Sequence, residues 1–516
     1  MDFEAPKIAL SGIAPEMALS AAALVILLVD AVVGDRRPRT LRPEPCSARP
    51  GSGILGNRWY LPLLSIVGFA ASVYFAKDAW DQVSASGATV QLSGMVAVDG
   101  FSIFVKVVLA VFGALTVLLG HEYLVRRGLE EGEFFALVLF SVAGMMLMAS
   151  SADLIVTFLA LETFSIALYV LVGFQRNRLD SQEAAMKYFL LGAFSSTFFL
   201  LGIALVFGAT GSTNLYSSDA GGIAQFLANT PAGDLSLLVL GTGLLIVGLG
   251  FKVAAVPFHM WTPDAYQGAP SPVTGFMAAG SKLAGFAALL RLLDVVLFPL
   301  RWDWRPIVIG IAVVTMVVGS VLAVVQDDVK RMLAYSSIAH AGFVFTAIIA
   351  TNDRGISGAL FYLATYGLTI IGAFAIVAVL GGPEERRTRI NDFRGLFAQH
   401  PLLAGILTLF MLSLAGVPIT SGFVAKLVVF GAAVEAGYSW VVVVGAVASA
   451  IAAFFYLRIL VVMYMIDAEV SEEPKAVMGP LSIGVIGLSA AATLVLGLFW
   501  SPLIELAEKA TFFVGP

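Results

Sequence analysis

The stretch "GFKVAAVPFHMWTPDAY", residues 250 to 266, sets Lys252 and His259 in or beside a long apolar run that Pro257 and Pro263 interrupt. An amine and an imidazole in such surroundings can exchange protons, because burial disfavours their charged forms while a nearby carboxylate restores them. Two more lysines lie equally deep in apolar sequence, Lys282 in "FMAAGSKLAGFAALL" and Lys426 in "LSLAGVPITSGFVAK". One carboxylate matches them, Glu162 in "LIVTFLALETFSIALYVLVG". With no cation nearby in its own segment, Glu162 is expected to pair with one of those lysines across a helix interface, Lys252 first. In an unbroken helix His259, seven residues after Lys252, would share its face. His340, in "YSSIAHAGFVF", is a further candidate.

The elements that must position these groups are membrane spans. The 516-residue chain is 13% charged and 59% hydrophobic, with mean hydropathy +0.92, whereas a soluble chain is about 25% charged. Apolar runs long enough to cross a ~30 Å hydrocarbon core as helices recur fourteen times, at 11–34, 57–76, 97–120, 133–150, 153–174, 184–208, 235–260, 272–298, 306–326, 332–350, 356–381, 401–432, 439–464 and 477–500. Lipid tolerates only helices or closed barrels, and runs this long without alternation exclude the barrel. The expected fold is an all-α polytopic membrane protein with about 14 transmembrane helices. The first run lacks a basic start and a small-residue cleavage site, so it reads as a retained helix rather than a signal peptide. The linkers 36–58 and 382–400 are the longest charged ones, and neither is long enough for a second domain.

Of the 30 Lys and Arg residues, 17 fall in odd-numbered connections, among them Arg36, Arg178, Lys330 and Arg387, against 6 in even connections and the termini. Loop cations mark the cytoplasmic side, so both termini are expected outside. The remaining seven, Lys106, Lys187, Lys252, Lys282, Arg291, Lys426 and Arg458, lie inside spans. A charge near the bilayer centre costs at least ~2.5–3.5 kcal/mol, so such residues face a bundle interior or a wet cavity, unless a long stem lets the charge snorkel to the interface. Snorkelling competes for Lys106, Lys187, Arg291 and Arg458, which sit near span ends. It does not suit Lys282, which lies about nine residues, or roughly 14 Å, inside its span.

The prolines and glycines show how the deep lysines are accommodated. Pro257 has no N–H to donate and frees a carbonyl one turn upstream, beside Lys252. In the second half Gly416, Pro418 and Gly422 precede Lys426. Helices broken at corresponding places point to an ion site at mid-membrane, where unwound backbone lines a cavity. Spans 7 and 12 run in opposite directions, so the expected organisation is two inverted five-helix repeats, each with a broken helix. The boundaries are 1–131 for helices 1–3 with an Arg-rich cytoplasmic loop, 132–299 for helices 4–8, 300–466 for helices 9–13, and 467–516 for helix 14.

Several chemistries are excluded. A single cysteine, Cys46, rules out cysteine-ligated iron–sulfur clusters. His121, His259, His340 and His400 show no i, i+3 or i+4 pairing for a metal or haem, and no dinucleotide-binding or P-loop motif is present. The abundant glycines read as helix-packing contacts. Proton movement is the chemistry left to these residues.

The segments "LETFSIALYVLVGF", "SQEAAMKYFLLGAFSS", "GFKVAAVPFHMWTPDAYQGAPSPVTGFMAAGSKLAGFAAL" and "DDVKRMLAYSSIAHAG" resemble subunit N of NADH-quinone oxidoreductase, an antiporter-like family of respiratory complex I. "FRGL" at 393–396 and "LSLAGVPITSGFVAK" continue the likeness over about residues 95 to 465. The resemblance implies a proton channel in each half, coupled to quinone reduction elsewhere. By motif, its proton path runs through Glu162 and Lys187, then Lys252, His259 and Lys282, with Lys426 in the second half. It implies no cofactor on this chain, with NADH, FMN, iron–sulfur clusters and quinone in partner subunits. The partners implied are paralogous antiporter-like subunits, small membrane-arm subunits and lipids, without nucleic acid, in a bacterial inner membrane. Two departures are visible, Gln267 in place of an acid and Ile419 in place of a second proline. Subunits of multisubunit cation/proton antiporters and of energy-converting hydrogenases share the pattern. "KYFLLGAFSS" and the lack of extra acids able to hold Na⁺ argue against both. A non-transporting scaffold would tolerate Met or Leu at the buried lysines.

Overall fold

The computed structural model describes residues 10–33, 58–129, 131–216, 221–229, 235–382, 385–467 and 478–512. Arg36, Cys46 and most of the Arg-rich loop lie outside the described residues. In chain order the helices are α1 (Ala14–Val33), α2 (Tyr60–Ser86), α3 (Gly100–Arg127), α4 (Gly132–Ser150), α5 (Leu154–Val172), α6 (Leu179–Thr210), α7 (Ile223–Asn229), α8 (Ser236–Lys252), α9 (Trp261–Gly268), α10 (Ser271–Phe276) and α11 (Lys282–Leu290). They continue as α12 (Arg301–Val324), α13 (Val329–Ala350), α14 (Asp353–Leu380), α15 (Leu396–Gln399), α16 (Pro401–Ala415), α17 (Ser421–Glu435), α18 (Ser439–Met465), α19 (Pro480–Leu498) and α20 (Ser501–Lys509). A short antiparallel hairpin, β1 (Thr89–Gln91) with β2 (Val96–Val98), joins α2 to α3.

Polar residues at the span ends supply the caps that lipid cannot. Asp99 accepts the Ser102 amide at the start of α3. Asp153 takes the amides of Ile155 and Val156 in α5, and Asp328 takes that of Arg331 in α13. Each satisfies donors that would otherwise be orphaned at a helix N-terminus. α2 outruns its expected end at residue 76 by ten residues, because the pairs Lys77–Asp81 and Gln82–Asp78 support a polar extension at i,i+4 spacing.

Among the described residues twelve helical segments are long and apolar enough to cross a membrane, and the chain is a multi-pass membrane protein. The two apolar helices that fall short, α8 and α16, are the first parts of the spans expected to be broken. The segment α10–α11, interrupted by a π turn at Met277–Ser281, forms the buried centre of the bundle with α13 and α14. α1, α6, α18 and α19 turn apolar faces outward. The central helices are therefore screened from lipid on all sides, and they and their neighbours carry the polar groups.

Candidate proton-transfer site

The first break follows from Pro257. α8 stops at Lys252, Ala254 adopts φ +62°, and α9 begins only at Trp261. Without an N–H at Pro257 the Val253 carbonyl has no helical partner, and Lys282 Nζ donates to it at 2.9 Å. Neighbouring groups are also met: Val256 N–H donates to Thr315 Oγ1 at 2.9 Å, and Trp261 Nε1 to the Phe251 carbonyl at 2.9 Å. Lys282 is thus held by the unwound backbone that the sequence placed beside Lys252.

Lys252 itself has no hydrogen-bond partner among the described residues. Its Nζ is buried without a hydrogen-bond partner and lies 5.3 Å from the Phe164 ring centroid, 5.4 Å from those of Tyr169 and Tyr188, and 5.7 Å from that of Phe251. Aromatic faces favour the ammonium only modestly. The expected direct pair with Glu162 is not formed. Glu162 is half-buried on a flank of α5 that also exposes Leu159 and Ile166, and its carboxylate accepts from the Ser196 hydroxyl of α6.

His259 departs from the expected common face with Lys252. Because α8 ends at Lys252, the seven-residue spacing no longer sets direction, and the half-buried His259 lies in the loop beyond. Among the described residues its Nδ1 closes no hydrogen bond of ordinary length, and the Pro257 carbonyl is the backbone group that faces the ring.

The second break is built on glycine. α16 ends at Ala415, and Gly416 turns left-handed at φ +87°. There Lys426 Nζ donates to the carbonyls of Leu414 at 3.1 Å and Ala415 at 2.9 Å, and to the Ser449 hydroxyl at 2.8 Å. A Cβ on Gly416 would stand 3.0 Å from Lys426 Cδ, so glycine serves both the turn and the lysine. A Cβ on Gly422 would overlap the Ser413 carbonyl where α17 crosses the end of α16. Pro418 lies at the exposed apex. Ile419 adopts φ +79°, which a proline ring cannot reach, so this departure from the family pattern comes with a different backbone turn.

His340 belongs to a polar group that the sequence did not reveal. Its Nδ1 is 2.6 Å from the Tyr362 hydroxyl and its Nε2 3.2 Å from the Tyr456 hydroxyl, which also bonds Ser336. All four side chains are buried. A neutral imidazole donates at one nitrogen and accepts at the other, so a ring bracketed by two hydroxyls can relay a proton by changing tautomer. Tyr362, Tyr456, Ser336, Ser449 and Ser196 carried no sequence signal of their own, since hydroxyl residues are common in helices.

The span-end cations divide. Lys187 lies partly exposed in a charged vestibule of about 1890 Å³ on the face of the odd-numbered connections, 2.8 Å from both Glu183 and Asp264. Arg331 joins Asp264 at 2.7 Å and Gln267 at 3.1 Å, so Gln267 keeps the acceptor of the acid it replaces. Arg458 pairs with Asp327 at 2.7 Å in the same region. Arg291 does not snorkel. It is buried, bidentate to Asp99 at 2.8 and 3.0 Å, and bonded to the Tyr216 hydroxyl and the Ala149 carbonyl. Lys106 is likewise buried and paired, 2.8 Å from Glu16. These last two pin helices together; among the described residues Lys252, Lys282 and Lys426 remain as buried amines without an acidic partner in contact.

Residues 151–452 match the family described as NADH:quinone oxidoreductase/Mrp antiporter, TM. NADH-quinone oxidoreductase subunit N of Trichlorobacter lovleyi is 40% identical over 97% of this chain and 96% of its own length. Subunit N 3 of Streptomyces griseus is 42% identical over 99% and 96%. Among solved structures, a chain of respiratory complex I from Thermus thermophilus with bound aureothin is 32% identical and superposes with TM-score 0.77 over 96% of this chain and all of that one. A chain of the Mrp complex of Dietzia, 21% identical with TM-score 0.78 over 97% and 96% of the two chains, shares the fold.

Proposed function

Since the chain belongs to the subunit N family of NADH-quinone oxidoreductases, we propose that its buried amines, with their imidazole and hydroxyl neighbours, carry protons across the membrane while electron transfer takes place on other subunits. The protein is a proton-translocating membrane subunit of complex I and works with other membrane-arm subunits. NADH, FMN, iron–sulfur clusters and quinone belong to partner chains in this reading. Residues 132–299 and 300–466 form two inverted halves, flanked by 1–131 and 467–516. The membrane is the bacterial inner membrane, the vestibule faces the cytoplasm and both termini face the periplasm.

One observation carries the reading: each interrupted span leaves carbonyls that a buried lysine takes up, Val253 for Lys282 and Leu414 with Ala415 for Lys426. Such an amine has donors' partners when charged, yet burial keeps its neutral form within reach. In the path proposed here, Glu162, Lys187, Lys252, His259 and Lys282 serve the first half and Lys426 the second, with His340 and its tyrosines between the lysines of both. Glu162 acts on Lys252 through space rather than by contact.

The test is Lys252→Met in the assembled complex, in membrane vesicles that report NADH oxidation and proton uptake together. Proton uptake per NADH is expected to fall while assembly is kept. Wild-type coupling in that variant would return the chain to the scaffold reading.

A further inference from the structure

Glu385, in the loop after α14, lines the vestibule, yet its side chain is wholly buried. Oε1 accepts the Ser271 amide at 3.0 Å and the Ser271 hydroxyl, and lies 3.5 Å from Lys330 Nζ. Oε2 accepts the Tyr123 hydroxyl at 2.6 Å and lies 3.4 Å from Arg178 Nη1. Arg127 covers the Tyr123 ring at 3.5 Å. Lys330 is itself buried and donates to the Ala269 carbonyl at 2.5 Å. One carboxylate therefore joins α3, the α5–α6 connection, the start of α10 and the first turn of α13.

The surroundings of Lys330 continue inward. Ser337 is two helical turns along the same face of α13, and its hydroxyl faces those of Tyr266 and Tyr366, all three buried and none closing a hydrogen bond of ordinary length. The Tyr366 ring lies 4.8 Å from the His340 ring. Proton-bearing groups thus lie along α13 between the vestibule floor and the His340 imidazole, with a gap of about 10 Å between Lys330 and Ser337. A pair that only clamped the fold would not need that continuation.

We propose that Glu385 and Lys330 form a proton-uptake pair that loads protons from the vestibule and passes them along α13 toward His340. This rests on the translocation reading above. When the Lys330 ammonium gives up a proton, water must bridge the two helical turns to Ser337. The hydroxyls of Ser337, Tyr266 and Tyr366 each hand on their own proton as they take one, so that the proton ends on the neutral His340 imidazole. The neutral amine left behind no longer offsets the carboxylate as its nearest cation. Burial then favours the acid, so Glu385 takes one proton from vestibule water and hands it to Lys330 Nζ, which restores the ion pair. One proton enters for each one passed on, and only O–H and N–H bonds change. The other groups facing the pair are Tyr123 and Arg127 from α3, Arg178 from the connection, and Asp328 beside Lys330.

The experiment uses the assembled complex in inverted vesicles, whose cytoplasmic face is outside. Glu385→Gln keeps an acceptor for Ser271 and Tyr123 but holds no exchangeable acid. NADH-driven proton uptake is expected to fall several-fold at pH 8 and to recover as the external pH is lowered. A second variant, Lys330→Arg, keeps the clamp but cannot release a proton, and it is expected to assemble without pumping. Wild-type uptake in Lys330→Arg, or in Glu385→Gln at every pH, would overturn the assignment, as would a Glu385→Gln loss that lowering the pH does not relieve. Lys252→Met run alongside separates the failures. If it abolishes uptake while both other variants pump, only the uptake pair is wrong; if it pumps normally, the translocation reading itself fails.

Discussion

Lys282 Nζ lies 2.9 Å from the carbonyl oxygen of Val253, the acceptor that Pro257 removes from the helical ladder four residues later. The break and the lysine are two parts of one device on neighbouring helical segments. Unwound backbone at mid-membrane is stable only when another group satisfies it.

Replacing Lys282 by Met is expected to leave the Val253 carbonyl unpaired, at about 1–3 kcal/mol. Amide exchange across 253–260 should then accelerate. Lys282→Arg restores a donor but not a releasable proton, so exchange should return to the wild-type rate while proton uptake stays low. Equal exchange in all three proteins would mean that the lysine does not hold the break.

Gly416→Ala tests the second break. A left-handed φ of +87° costs a non-glycine residue on the order of 1–2 kcal/mol, and the new methyl would press on the Lys426 stem. The expected result is an assembled complex with proton uptake reduced several-fold and a lower melting temperature. Gly405→Ala, on α16 where a Cβ meets open space, should leave both unchanged.

At His340 the hydroxyls are the test. Tyr456→Phe removes the partner of Nε2 and of Ser336 and leaves a buried polar atom unmatched, at roughly 1–3 kcal/mol. Proton uptake is expected to drop about tenfold or more if the ring relays protons. Unchanged uptake would make His340 and its tyrosines packing groups.

Glu385 also gives a pH dependence with a definite sign. Burial alone would raise its carboxyl, but Lys330, Arg127 and the hydrogen bonds from Ser271 and Tyr123 more than offset that and hold it below the ordinary 4.5. A depressed carboxyl stabilises the fold above its unfolded value and loses that contribution as pH falls through the folded one. The melting temperature of the purified complex should therefore exceed that of Glu385→Gln at neutral pH, and the difference should shrink as the pH is taken down through the depressed carboxyl, below the ordinary 4.5. A difference that persisted in acid would show that charge on Glu385 is not what stabilises this junction.

What the sequence made legible were contradictions. A lysine, a proline or a glycine inside an apolar run conflicts with its surroundings, and Lys252, Lys282, Lys426, Pro257 and Gly416 all sit where that conflict placed them. Residues that raise no conflict were hidden. Tyr362, Tyr456 and Ser336 are ordinary helix residues until folding brings them to His340, and Glu385 is one acid in a loop of many charges. His259 misled because helical spacing holds only while the helix does, and α8 ends at Lys252. Glu162 and Lys252 needed the angle between α5 and α8 to show that they do not touch.

A buried amine at the second break must release its proton, not merely be positive. Lys426→Arg in the assembled complex tests it most directly, since arginine can still donate to the Leu414 and Ala415 carbonyls but does not deprotonate at usable pH. The measurement is protons taken up per NADH oxidised in sealed vesicles. This ratio is expected to fall well below wild type with the complex intact. An arginine variant that pumps at the wild-type ratio would contradict it, because a fixed positive charge would then suffice at the second break.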